Sequence, residues 1–307
     1  WQNAGTVRNT GVELALNWHD AIGKDFNYGI NWNMACNSNK VTAINNANHY
    51  NEGGKDLLSQ NTGTMSRMEE GHPIGYFYGY KTAGVMQNAA DIQQYLKENC
   101  SGDATKSLQG TDIKPGDLKF VDVNGDGVID ANDKTEIGSP HPDVTMGLGF
   151  NVGYKGFDLS VTTYAALGQE VMRSWRKFTD GQHENYTTEV YKYWHGEGTS
   201  NKYPRLAPGN TGPNWQQVSD IYVEDASYFR LQNLTLGYDF KNVWKNCPFQ
   251  QLRLYFSAQN LFTITGYDGM DPENGMALNG SEPWVTGVDV GNYPSPRTFL
   301  VGVNVKF

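Results

Sequence analysis

Apolar residues recur at every second position in long stretches of this chain, and that alternation limits what it can fold into more than any other feature. From Gly11 the sequence runs GVELALNW, with Val12, Leu14, Leu16 and Trp18 apolar and Glu13, Ala15 and Asn17 between them small or polar. Successive side chains of a strand point to opposite faces, so this spacing predicts a strand with one wholly apolar face. After a short connection FNYGINWNMAC alternates again, Phe26, Tyr28, Ile30, Trp32, Met34 and Cys36 against Asn27, Gly29, Asn31, Asn33 and Ala35. Val144, Met146, Leu148, Phe150, Val152 and Tyr154 repeat the pattern, and Lys155-Gly156 leads into Phe157, Leu159 and Val161 as a tight hairpin. Leu234, Leu236, Tyr238 and Phe240, then Leu252, Leu254, Phe256 and Ala258, then Phe299, Val301, Val303, Val305 and Phe307 continue the series. Upstream of Leu234 the phase breaks at Tyr228, Arg230 and Gln232, which predicts a bulge or the emergence of the strand from an apolar medium. With a weaker strand around residues 76–80, about eight long strands are expected.

The connections sort by length. Short turns near residues 19–25, 155–156 and 241–249 alternate with long polar excursions at 38–72, 88–140, 168–222 and 265–294. Long loops at one end and short turns at the other are the plan of a bacterial outer-membrane barrel. The 35 Gly, 18 Tyr and 13% aromatic residues suit many strands joined by turns. No apolar run approaches the ~18–20 residues of a membrane helix. The mean hydropathy of −0.59 is compatible with a barrel, because only alternate strand residues meet lipid and the outer loops are polar. A net charge of −9 leaves no basic stripe for nucleic acid. The same alternation would also suit a soluble, calcium-stabilised carbohydrate-binding β-sandwich, in which a second sheet buries the apolar faces.

One segment carries recognisable chemistry. Asp122, Asn124 and Asp126 stand at positions 1, 3 and 5 of a calcium-loop pattern, with Gly127 at 6, Val128 offering its carbonyl at 7, Asp130 at 9 and Asp133 at 12. Ca2+ takes six to eight oxygens from a loop that turns sharply, and Gly127 permits the turn. Unscreened, four carboxylates so close together would repel one another. The alternative is an Asp/Asn/Gly turn closed by its own hydrogen bonds. Asp133 replaces the usual Glu, as in dockerin-like loops, and its shorter reach predicts weaker binding. The preceding LKF has strand character, so the expected role is to stiffen an extracellular loop, not to switch a helix pair.

Elsewhere the chemistry is sparse. Cys36, Cys100 and Cys247 are odd in number, far apart and without CxxC spacing, so they are expected to be unpaired thiols. His19, His49, His72, His141, His183 and His195 form no metalloprotease or triad motif, and the Gly53-Gly54-Lys55 stretch lacks the upstream Gly of a phosphate loop. No catalytic residue is expected, and the chain is not expected to be an enzyme. Trp175, Tyr186, Tyr191, Tyr193, Trp194, Trp215 and Trp284 lie in the long excursions, where they either fill the loops' own core or present rings to a sugar or a partner.

NTGVELALNW, GHPIGYFYGY, GDLKFVDVNGDGVIDANDKTEIGSPHPDVTMGLGFNVGYKGFDLSV, DASYFRLQNLTLGYDF, LRLYFSAQNLFTITGYDGMDPE and the Phe-terminated last strand together resemble the SusC/RagA-like TonB-dependent outer-membrane transporters of Bacteroidetes-type bacteria. The likeness spans nearly the whole chain. It implies an all-β fold in which residues 1–307 are antiparallel strands of the C-terminal part of a transmembrane β-barrel with long extracellular loops. Residues 116–138 would then be a calcium-loop-like insertion in one of those loops. Such transporters have a barrel of about 22 strands, a plug and a TonB box. The plug, the TonB box, the earlier strands and a signal peptide have no counterpart here, so the chain is expected to be a fragment. The resemblance further implies localisation in the cell outer membrane, contact with its lipid, and import of a bulky nutrient, an oligosaccharide or a peptide. Its implied partners are a SusD-like surface lipoprotein, the TonB complex through the missing N-terminal region, and the barrel-assembly machinery, whose signal would be Phe307.

Overall fold

The computed structural model describes residues 5–57, 62–174, 188–206, 212–244, 246–273 and 282–307. Among them seven strands form one sheet: β1 (Gly5–Ile22), β2 (Phe26–Ile44), β3 (Val144–Tyr154), β4 (Phe157–Leu167), β5 (Tyr228–Asp239), β6 (Gln251–Thr265) and β7 (Thr298–Lys306). Each strand pairs antiparallel with the next in the chain. The register keeps the two residue classes apart. One row across the sheet runs Trp18, Ile30, Phe150, Val161, Leu234, Ala258, Phe299, all apolar. The adjacent row on the other face runs Asn17, Asn31, Gly149, Thr162, Asn233, Gln259, Thr298, all polar or glycine. A slip of one residue at any pairing would exchange the faces.

Nothing among the described residues covers the apolar face. Val12 and Val301 keep 70% and 74% of their surface exposed. A sandwich would bury both under a second sheet, so the sandwich alternative is set aside. The sheet does not close, and β1 and β7 each leave one edge unpaired within it. No helix among the described residues is long and apolar enough to cross a membrane, which says nothing about crossing by strands.

The phase break ahead of Leu234 is a bulge. Thr162 and Thr163 of β4 face Asn233 and Leu231, so Gln232 is skipped. On the β6 side the register moves from Leu231–Phe262 to Asn233–Gln259, with Asn260 at φ 51°, in the left-handed region that Asn tolerates. The hairpin turn Lys155-Gly156 has φ of 45° and 90°, as a two-residue turn matching strand twist requires.

The eighth expected strand is not in this sheet. Tyr76–Gly79 is a strand, but it belongs to a separate four-stranded sheet with Tyr50–Gly53, Ser66–Glu69 and Thr135–Gly138. All four of its residues are buried, so neither face is available to lipid. Parity gives the same result. With seven strands, the long connections 45–143, 168–227 and 266–297 all fall at one end of the sheet, and the short ones at the other. A further spanning strand within residues 45–143 would send one long excursion to the wrong end. The expected excursions 38–72 and 88–140 are therefore one connection. β1 and β2 also extend beyond their alternating parts, Asn9 facing Asn39 and Thr10 facing Ser38, polar pairs suited to water above the lipid.

The three long connections share one hydrophobic core. It combines Met65, Phe77, Val85, Leu118 and Phe120 from the first, Met172, Tyr193 and Trp215 from the second, and Val285 and Val288 from the third. The helix Ala89–Asn99 packs Ile92, Tyr95 and Leu96 onto it and is capped by Asn88, whose side chain accepts from the Asp91 N–H at 3.0 Å. Phe77 is fully buried there. Phe77→Ala should cost this layer about 3–5 kcal/mol. Limited proteolysis should then cut within residues 45–143 while the heat-resistant β-sheet signal in circular dichroism persists.

Candidate functional site: an acidic loop and the groove beside it

The segment Asp122–Asp133 wraps onto its own backbone. Asp122 accepts from the Gly125 and Gly127 N–H groups, each at 2.7 Å. Gly125 and Gly127 have φ of 77° and 76°. A side chain at Gly127 would be strained and would strike the Ser101 hydroxyl, so glycine is required there. Asn124 accepts from Asp126 N–H and donates its amide to the Asp126 carboxylate at 3.1 Å. Asp133 is fully buried and accepts from Val123 N–H at 2.9 Å and Asp130 N–H at 2.8 Å, tying the loop's two ends together. Asp130 caps the short 3-10 turn Ala131–Asp133 by accepting from Asn132 N–H. Among the described residues no three His, Cys, Asp or Glu side chains converge on one point as a preformed metal site would have them. The donor set is nonetheless all oxygen, and a carboxylate that accepts one N–H per oxygen keeps lone pairs for a hard cation.

The loop aromatics are mostly structural. Tyr193 and Trp215 are buried in the loop core, with Trp194 and Trp284 packed against it. Tyr191 is 80% exposed. Trp175 and Tyr186 lie outside the described residues, as does His183. The other histidines are apart: His49 meets Glu70, His72 meets Glu136, His141 contacts the Ile74 carbonyl and His195 the Tyr193 carbonyl, while His19 stands over Gly29 on β2. Cys36, Cys100 and Cys247 are free thiols. Phe307 ends the chain 84% exposed, its ring edge-on to Phe249 at 5.3 Å.

Immediately after the acidic loop, Lys134, Thr135 and Glu136 form one wall of a groove of 650 Å³. Its other walls come from the adjoining strands, where Tyr50 faces Glu69 and Glu52 faces Arg67 across the ladder. Arg67 lies between two rings, 4.1 Å from Tyr50 and 3.5 Å from Tyr78, and donates to Glu52 at 2.6 Å. Burial alone would raise the Glu52 carboxyl, but hydrogen bonds from Arg67 and Thr64 outweigh it and hold the group below its ordinary value. Burial, reinforced by the bond that Tyr76 donates to Glu69 at 2.7 Å, pushes the Tyr76 phenol well above its usual range. His72 stacks on Tyr76 at 4.8 Å and meets Glu136 at 2.7 Å. Burial also draws the Lys134 ammonium below the ordinary lysine value. Sequence reasoning did not find this groove. The available signal was the i, i+2 pairing of Tyr50 with Glu52 and of Arg67 with Glu69, which puts ring and charge on one strand face.

The groove is tied to β2 above its last pairing with β3, at Cys36 and Val144. Asn39, on the same face of β2 as Asn31, accepts from the Ile74 N–H at 2.8 Å, and Val41 exchanges backbone bonds with Gly71 and His72 at 2.9 Å. The polar face itself is furnished by side chains lying over glycines, Arg253 and Asp158 over Gly237 and Tyr255 over Gly302. Arg253 donates to Asp158 at 2.8 Å.

No family model matches the chain. It is 32% identical over 311 residues to TonB-dependent receptor P3 of Formosa agariphila, covering 100% of this chain and 29% of that protein. It is 30% identical over 311 residues to TonB-dependent receptor SusC of Bacteroides thetaiotaomicron, covering 100% of this chain and 27% of that protein. The fold matches that of the RagAB peptide transporter with a TM-score of 0.70 at 23% identity, over 100% of this chain and 30% of that one. The chain thus spans less than a third of the length of the relatives it matches. Along its whole length it is a SusC/RagA-like stretch of a TonB-dependent receptor.

Proposed function

We propose that this chain is the C-terminal barrel wall and outer-loop layer of a TonB-dependent outer-membrane importer of bulky nutrients, oligosaccharides or peptides. The observation that carries this reading is the separation of an apolar face from a largely polar one, kept in register across all seven strands. The apolar face is shaped to meet outer-membrane lipid and the polar face to line a lumen. All long connections gather at one end, which is the plan of a barrel with its loops outside the cell. The role is passage and recognition, not catalysis. A SusD-like lipoprotein would cap the loop layer, the TonB complex would supply energy to the whole receptor, and Phe307 would be read by the barrel-assembly machinery. These partners follow from the family and belong to the complete receptor.

The acidic loop is proposed to hold a structural Ca2+. Asp122, Asn124, Asp126, the Val128 carbonyl and Asp133 would provide the oxygens, with Asp130 acting through water. The ion would offset carboxylate repulsion and stiffen the groove wall at Lys134–Glu136. Calorimetric titration of the chelator-treated receptor with Ca2+ should give a single binding event that Asp122→Ala and Asp126→Ala abolish. Hydrogen exchange should speed up at residues 122–136 in EDTA while the strands stay protected. Equal exchange with and without Ca2+ would reduce the site to a hydrogen-bonded turn.

Leu148 and Gly149 are neighbours on β3 pointing to opposite faces, and an added Cβ at Gly149 meets nothing closer than 3.6 Å. Leu148→Arg should cost about 2–4 kcal/mol near mid-membrane and impair assembly. Gly149→Arg should assemble and alter uptake. Assembly is measured as heat-modifiable mobility of the full receptor from outer membranes, and a worse defect from Gly149→Arg would reverse the assignment of faces.

A further inference from the structure

β1 and β2 continue past the apolar band that they share with β3. On β2 the band runs from Phe26 to Cys36, level with the 11 residues of β3 from Tyr154 to Val144. A tilted strand crosses the hydrocarbon core in about 9–11 residues, so the band matches one membrane and ends at Cys36 and, opposite it, Val12. On the same face the next pair is Thr10 with Ser38, and the one after it Arg8 with Lys40. Both basic residues are exposed. They stand opposite each other on the face that below them carries Val12, Leu14 and Leu16, left 70%, 43% and 55% exposed.

Like charges facing each other across a ladder are destabilising, because their Cβ atoms are only about 4.5–5.5 Å apart. Nothing nearby on the two strands offsets them. β2 contains no Asp or Glu, and those of β1 are Glu13, on the opposite face, and Asp20, at the far end of the strand. Among the described residues neither Arg8 nor Lys40 makes an ion pair. The pair therefore calls for an anion from outside these strands. A free anion would gain only two water-exposed cations, which salt screens. A lipid carrying a phosphate gains more, since its chains lie on the exposed apolar band while its headgroup meets the cations. Arg and Lys stems also bend along apolar surface to bring their charged ends to such an interface.

Resting on the assignment of the apolar face to lipid made above, we propose that Arg8 and Lys40 clamp the phosphate of an anionic lipid in the outer leaflet, whose chains lie along Val12, Leu14, Met34 and Cys36. The Arg8 guanidinium offers a fork of donors to two phosphate oxygens, and the Lys40 ammonium binds the same group as a point charge. The anion removes the repulsion between the two cations, so lipid binding and the stability of the β1–β2 hairpin are linked. The clamp also fixes the height of β2 in the membrane. Asn39 and Val41, its neighbours on either side of Lys40, are where the loop layer is tied to the wall, so the lipid sets the level of that layer as well.

The test uses the purified full-length receptor, stripped of lipid in a neutral detergent, with three probes: phosphatidylglycerol, phosphatidylcholine and inorganic phosphate. Arg8→Gln and Lys40→Gln each remove one charge of the pair, and Lys24→Gln removes one in the β1–β2 turn as a control. Bound lipid is counted by native mass spectrometry and stability is followed by thermal unfolding. The expected result is that phosphatidylglycerol is retained in preference to phosphatidylcholine and raises the melting temperature. Arg8→Gln and Lys40→Gln should each weaken that retention about tenfold or more, and Lys24→Gln should leave it unchanged. Without lipid the two substitutions should leave the melting temperature unchanged or raise it, because a repulsion has been removed. A fall without lipid would show that the cations are paired inside the receptor, which overturns the clamp. Retention equal in the native receptor and both variants overturns it too. Phosphate binding that the substitutions abolish, with no preference between the two lipids, would make the pair an ion site instead of a lipid clamp. Assembly of the native receptor, read as heat-modifiable mobility from outer membranes, keeps the two readings apart. Its failure strikes the assignment of faces, whereas failed lipid retention by an assembled receptor strikes the clamp alone.

Discussion

The inter-strand hydrogen-bond ladder is the interaction on which the rest of this structure depends. In hydrocarbon each unpaired N–H or C=O costs several kcal/mol, by the order of magnitude for buried polar groups. Strands can therefore cross only when paired on both sides, and pairing fixes register. Once Trp18, Ile30, Phe150 and Val161 are level, every neighbour along each strand is committed to a face. The bulge at Gln232 and Asn260 is the one described place between β4 and β6 where the ladder shifts. It lies where the wall passes from its alternating part to its loop-bearing part. Above it Arg230 is buried and bonds Thr263, Asp271 and Glu273, so the same strand that carries the exposed apolar face below holds a polar brace above.

That brace explains how long polar connections form a defined layer instead of loose tails. Asp271 also accepts from the Ser295 N–H at 3.0 Å, which ties both ends of the β6–β7 connection to the wall. The β4–β5 and β6–β7 connections meet where Met172 pairs in parallel with Val288. With these anchors the three connections bury a common core of aromatic and aliphatic side chains, as a small soluble domain does. The chain thus arranges its apolar residues in two ways in one sequence, apolar side out on the large sheet and apolar side in within the loop layer.

The acidic loop and the groove are neighbours for a geometric reason. The Asp133 carboxylate is held in the layer by accepting from the Val123 and Asp130 N–H groups, and the chain leaves it directly as Lys134, Thr135 and Glu136. Whatever stiffens the loop therefore also sets the groove's wall. The opposite wall is set by Arg67, whose stacking between Tyr50 and Tyr78 fixes both rings.

The sequence by itself determined the seven strands of the large sheet and their faces, because period-two alternation is a local property that any strand must display. Val144–Tyr154 and Phe157–Leu167 were legible almost to the residue for that reason, with the Lys155-Gly156 turn between them. The turns of the acidic loop were legible too, since its Asp, Asn and Gly residues lie within twelve consecutive positions. Only the tertiary structure decided where Tyr76–Gly79 belongs, because a fully buried short strand has no alternation to declare its medium. Tertiary structure alone likewise showed Tyr193 and Trp215 to be core and brought Tyr50, Arg67, His72 and Glu136 to one groove. Those residues are 86 positions apart from first to last, and nothing local in a polar loop specifies which distant strand will pair with it.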